Sequence, residues 1–182
     1  TGLMSGGAAT SAYLETHKSP DELHAVFFRA NFAKEYVKSH GRAYRDKILK
    51  LTGSAVASGL PQGRRLYSVQ DHFLMTFLTE EGFHNCYAVI QNYFNKSIRQ
   101  LYDKVEPGQM MTLSAVGISN RSAGFETYHD TLQKLHEEWA SLVNTQLGGW
   151  ALMNSDDQWV KGVPDESGAA AEEIVPEEPE SL

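Results

Sequence analysis

Apolar residues along this chain recur mostly three and four positions apart, the spacing that gives a helix one buried stripe. The first run is Leu23, Phe27, Ala30, Ala33, Val37, Tyr44, Ile48 and Leu51. Ahead of it stands Ser19-Pro20-Asp21-Glu22, a cap serine with proline at the first helical position and glutamate three residues past the cap. Gly41 falls inside the run, where it either ends one helix before the next or weakens a long one. Glycine, serine and proline between Thr52 and Arg65 predict a loop. A second helical region opens near Ser68 with Val69, Phe73 and Phe77. The spacing is most regular from Phe83 through Tyr87, Ile90, Phe94, Ile98, Leu101 and Val105, until Pro107-Gly108 stops it. A last helix is predicted from about Ser122 to Leu147, with Phe125, Tyr128, Leu132, Leu135, Trp139 and Leu142 on its stripe and Gly148-Gly149 at its end.

Three segments depart from this spacing. Residues 1–18 are rich in Gly, Ala, Ser and Thr and carry no stripe, which predicts a flexible N-terminal arm. Met110 to Ser119 is apolar and β-branched, a short strand or buried linker. Trp150 to Val160 is a short aromatic segment folding back over the core. The expected architecture is mainly α: a bundle of about four helices, with a short apolar strand or linker near 110–119 and disordered ends. Residues 19–162 form its single helical domain, and 163–182 an acidic, disordered C-terminal tail.

Charge sharpens the picture. The net charge is −7, and seven of the 23 acids lie between Asp165 and Glu180 with no base among them. Upstream, the remaining 16 acids balance all 16 bases. From Arg29 to Arg65 there are nine bases against Glu35 and Asp46. On a helix, at about 100° per residue, Lys34, Lys38, Arg42 and Arg45 share one flank beside the apolar stripe. Such segregation predicts partner contacts through Lys34, Lys38, Arg42 and Arg45, and through Ile174 and Val175, an apolar pair set among the tail's acids. The acidic balance gives no strong nucleic-acid signal. No apolar run reaches the roughly 20 residues of a transmembrane helix, which leaves peripheral contact with anionic surfaces as the only membrane role. Cys86 is alone, so no internal disulfide forms, and an intracellular reducing compartment, cytoplasm or organelle matrix, is expected.

Candidate chemistry is sparse. Glu81-Gly82-Phe83-His84 and Glu126-Thr127-Tyr128-His129 are two Glu-x-x-His motifs, half of a carboxylate-bridged di-metal site if their helices face each other. On helical wheels both glutamates point away from the apolar stripe, with the histidines at its edge. His136 shares the flank of His129, and with His72 or His84 offers an alternative haem or zinc set. A metal, if bound, therefore uses Glu81, His84, Glu126, His129 and His136, but none is expected, nor any other cofactor. No His-Glu-x-x-His, Cys-x-x-Cys, Gly-x-Ser-x-Gly or phosphate-loop motif occurs.

These features predict a non-catalytic helical accessory or structural subunit of a larger assembly, acting through contacts with other protein subunits. Two alternatives keep the bundle: a metal- or haem-binding protein with an oxidoreductase or sensing role, and a small-molecule binder with a pocket from Phe94, Trp139 and Tyr128.

Overall fold

The computed structural model describes residues 3–4, 6–31, 34–101, 112–145 and 149–163. Its centre is a sheet. β1 (Leu3–Met4), β2 (His24–Asn31), β3 (Leu66–Ser68), β4 (Leu74–Leu78), β5 (Thr112–Ser119), β6 (Trp150–Met153) and β7 (Trp159–Gly162) form seven strands in the order β1-β3-β4-β2-β5-β6-β7. β1 runs parallel to β3 and β5 parallel to β6, whereas the other neighbours are antiparallel, so the sheet is mixed. Four helices, α1 (Gly6–His17), α2 (Lys34–Gly59), α3 (Glu80–Leu101) and α4 (Tyr128–Thr145), complete the fold.

The architecture is α/β, and the expected helical bundle is wrong. β2 shows why. His24 to Phe28 are all buried, because Val26, Phe28 and Ala30 enter the core under α2 and α3 while Ala25 and Phe27 enter the core under α1 and α4. A strand covered on both faces loses its apolar–polar alternation and reads as a continuous apolar run. In such a run Leu23, Phe27 and Ala30 match helical spacing by coincidence. Ser19 caps a turn instead of a helix, accepting the Asp21 N–H at 3.1 Å. Val69, Phe73 and Phe77, also read as helical, belong to a β3–β4 hairpin whose link is a single 3-10 turn, Gln70–His72. The segment over 110–119 is no minor addition to a bundle: β5 pairs with β2 over eight residues and with β6 on its other side. Trp150 to Val160 forms the β6–β7 hairpin at the sheet edge.

Three helical readings also shift. The expected loose arm contains α1, where Tyr13 is buried, stacks on Phe125 at 4.6 Å and donates its O–H to the Phe125 carbonyl at 3.0 Å. α2 runs through most of the predicted loop to Gly59, broken once at Gly41 (φ 79°, ψ −168°), a backbone that favours glycine. The last helix begins later than expected, because Ala123–Phe125 is a 3-10 turn with Ser122 as its cap. The tail beyond Val163 lies outside the described residues.

Each face of the sheet carries its own core. Ile48 and Val56 of α2 and Phe83, Ile90, Phe94 and Ile98 of α3 fill one. Tyr13 of α1 and Leu135 and Leu142 of α4 fill the other with Phe125. Among the described residues, no helix is long and apolar enough to cross a membrane.

Candidate functional site

Where β2 ends beside the β3–β4 turn, Arg29 projects from the sheet into the layer that holds Phe73 and Trp139. Its neighbours Ala30 and Phe28 are core residues, so the strand register fixes the guanidinium's height. The Arg29 Cζ lies 5.1 Å from the ring centroid of Phe73 and 5.1 Å from that of Trp139. Phe73 and Trp139 meet edge-on at 5.2 Å, and His136 packs edge-on against Phe73 at 4.7 Å. These two aromatic contacts leave the guanidinium little freedom to move.

This cluster forms one wall of an open cleft of about 340 Å³, lined by Arg29, Arg45, His72, Phe73, His136, Trp139 and Ala140. Both helical layers meet here, Arg45 coming from α2 and His136, Trp139 and Ala140 from α4. Among the described residues, two guanidiniums and two imidazoles line it, and no carboxylate does. The Trp139 indole N–H is buried with no hydrogen-bond partner among the described residues. His136 Nδ1 lies 2.8 Å from the Leu132 carbonyl, one turn back on α4, which orients the ring. His72 closes the turn at φ 65°, a left-handed backbone uncommon outside glycine. The same conformation at Asp157 is held by its own side chain, which accepts from Ser122 Oγ at 2.6 Å and Ala123 N–H at 2.7 Å. Those two bonds hold the Asp157 carboxyl below its usual range. Chemically, the cleft is built to hold an anion against aromatic faces.

The residues singled out from the sequence scatter. Glu81 and His84 stand exposed on α3, where His84 Nε2 is 3.9 Å from Glu80 and its ring packs on Trp150 at 4.9 Å. Glu126, His129 and His136 belong to the opposite layer, with the sheet between the two Glu-x-x-His motifs. Among the described residues, no group of three or more His, Cys, Asp or Glu is placed to hold a metal. His129 joins His136, Gln70, Leu132 and Gln133 around a second shallow cleft of about 280 Å³ next to the first. The aromatic pocket expected from Phe94, Trp139 and Tyr128 does not form, since Phe94 is on α3 and the other two on α4, in the cores on opposite faces of the sheet. Cys86 is buried on α3, and desolvation pushes its thiol up to about 11, which suits an inert core residue. Of the basic stripe, Arg45 reaches the cleft, while the side chains of Lys34, Lys38 and Arg42 lie outside the described residues, as do Ile174 and Val175.

Arg29, His72, Phe73 and Trp139 were not legible as a set, because Phe73 and Trp139 were assigned to helix stripes, Arg29 to a charge count and His72 to a haem or zinc set. One signal was present: Arg29 is the single base in the otherwise apolar run from Val26 to Ala33, apart from Asn31.

The overall fold is similar to that of α/β GGDEF domains. It superposes on the coiled-coil and GGDEF domain of DgcB from Caulobacter crescentus, solved in complex with c-di-GMP, with TM-score 0.65 and 10% identity over 82% of this chain and 81% of that one. It resembles the diguanylate cyclase SiaD of Pseudomonas aeruginosa, solved with its activator SiaC, at TM-score 0.62 and 16% identity, spanning 84% of this chain but only 59% of SiaD's. The GGDEF domain of PA1120 (TpbB or YfiN) from the same organism matches at TM-score 0.59 and 14% identity, over 85% of this chain and 92% of that one. No protein-family model matches the sequence, and no curated protein matches it. At these identities the likeness shows the fold. It removes the expectation of a non-catalytic, all-α structural subunit, because that reading required a helical bundle and these neighbours are α/β domains of a catalytic type. The metal-binding and small-molecule-binding bundles fall with it. This chain contains no Gly-Gly-Asp-Glu-Phe run, and its turn beside the cleft reads Val69-Gln70-Asp71-His72-Phe73.

Proposed function

We propose that this domain binds a guanine nucleotide in the Arg29–Trp139 cleft. The observation that carries the reading is the Arg29 guanidinium packed against both Phe73 and Trp139, in a cleft that adds Arg45 and shows no carboxylate among the described residues of its lining. Guanidiniums pair with phosphate oxygens in a planar, two-point geometry, and the half-buried Trp139 ring has surface left for a base to pack on. The ligand class comes from the fold, since neighbours of the same architecture are diguanylate cyclases or were solved holding c-di-GMP.

Titration calorimetry of the full chain with GTP and with c-di-GMP tests this. Binding of at least one is expected, weakened about tenfold to a hundredfold by Arg45→Gln, the loss of one charge-assisted phosphate contact. Arg29→Gln should weaken it by at least as much, with circular dichroism checking that the variant folds. Failure of both nucleotides to bind, or equal affinity in wild type and both variants, rejects the cleft as the site. Chromatography of the same mixtures reads any turnover.

A further inference from the structure

The most one-sided stretch of the sequence lies outside the nucleotide cleft. From Asp165 to Glu180 there are seven acids and no base. Among the described residues the cleft is its electrostatic opposite, with two guanidiniums and no carboxylate in the lining. The fold also delivers the tail nearby. Lys161 of β7 pairs with Glu138 of α4 at 3.0 Å, and Glu138 precedes Trp139, a wall of the cleft. Two residues beyond Lys161, the described chain reaches Val163 and passes into the acidic segment.

We infer that this segment docks on the Arg29–Arg45 cleft and competes there with the nucleotide; the competition rests on the reading of the cleft as a phosphate site. Reach is not limiting, because the eighteen residues after Pro164 extend up to about 60 Å, roughly twice the length of α4. Carboxylates meet guanidiniums in the same two-point geometry as phosphates, so the two ligands use the same donors. Ile174-Val175, set between Glu173 and Glu177, gives the segment an apolar element for the half-buried Trp139 ring on the cleft wall. Tethering raises the tail's local concentration to the millimolar range, enough for a weak contact to compete.

The test compares the full chain with a full-length variant in which the tail's acids become amides: Asp165→Asn with Glu166, Glu172, Glu173, Glu177, Glu178 and Glu180 each →Gln. GTP should bind the variant about tenfold more tightly at low salt, with the gap closing as salt rises to about 0.5 M and the Debye length shrinks. A labelled synthetic peptide of residues 164–182 should bind the variant, and Arg45→Gln should abolish that binding. Equal GTP affinity in the two proteins at low salt overturns the competition and leaves the nucleotide site standing. If neither GTP nor c-di-GMP binds either protein, the nucleotide reading fails and the peptide decides docking alone. Peptide binding that survives Arg45→Gln, or no peptide binding at all, overturns the docking.

Discussion

His24 is a titratable side chain placed where charge is hard to carry. It opens β2 at 1% exposure, paired in register with Leu78 on one side and Ser119 on the other. Its Nδ1 is buried without a hydrogen-bond partner among the described residues. Desolvation lowers its pKa below the ordinary 6.5; Glu22 and Glu80 oppose the shift, and His84 adds to it. A folded-state pKa below the unfolded one means the native protein prefers the neutral ring. Its contribution to stability is therefore complete above pH 6.5, declines as pH falls through 6.5 towards the folded value, and levels off below that. Urea denaturation at a series of pH values should show stability falling by at most about 1.4 kcal/mol per pH unit from this residue. His24→Phe should flatten that part of the profile. If the variant keeps the wild-type slope between pH 5 and 6.5, other groups carry it.

At the scale of elements, the α2–α3 contact is a tight packing constraint. A Cβ on Gly59 would lie 2.5 Å from Ile90 Cγ1 and 3.2 Å from the Cys86 carbonyl, so α2 ends against α3 with no room for a methyl group. Gly59→Ala should cost about 1–3 kcal/mol as an overpacking change, read as a lower urea midpoint. Gly53→Ala, which meets nothing within 4 Å, is the control and should be neutral or slightly stabilising. An equal effect of both changes would mean that helix propensity governs here and packing does not. The same two helices show what the sequence exposes and what it hides. In α3, Phe83, Tyr87, Ile90, Phe94 and Ile98 are buried on one face while Glu81, Asn85, Val89 and Tyr93 are exposed, so its spacing is read directly. β2 and β4 are buried along nearly their whole length, and a run without a polar face has no period to read. α1 was hidden for the opposite reason: its small residues Gly6, Gly7, Ala8, Ala9 and Ser11 give no stripe, and its helicity depends on Tyr13 docking against Phe125. The site was illegible because its parts come from a strand, a hairpin turn and two helices on different layers. Only tertiary structure brings Arg29, Arg45, His72 and Trp139 together.

For the molecule as a whole, the sheet is shared property of two cores. Phe28 of β2 packs with α3 through Phe83, at a centroid distance of 6.4 Å, whereas Phe27 next to it packs on Phe73 and His136 of the other layer. Neither layer can lose its helices without exposing one face of the same strands, so the described residues should unfold as one cooperative unit. The tryptophans report on both sides: Trp150 packs against the α2–α3 core, Trp139 and Trp159 against the α1–α4 core. Two variants, one keeping only Trp150 and the other only Trp139, should give the same urea midpoint by fluorescence as each gives by far-ultraviolet circular dichroism. Phe28→Ala in either background leaves a cavity in a fully buried site and should cost about 3–5 kcal/mol. The decisive reading is where that cost appears. In a single unit, Phe28→Ala shifts the Trp139 transition as far as the Trp150 transition, although Phe28 belongs to the opposite core from Trp139. A shift confined to Trp150 would show that the two layers melt separately, and the sheet would then be a seam between two units instead of their common core.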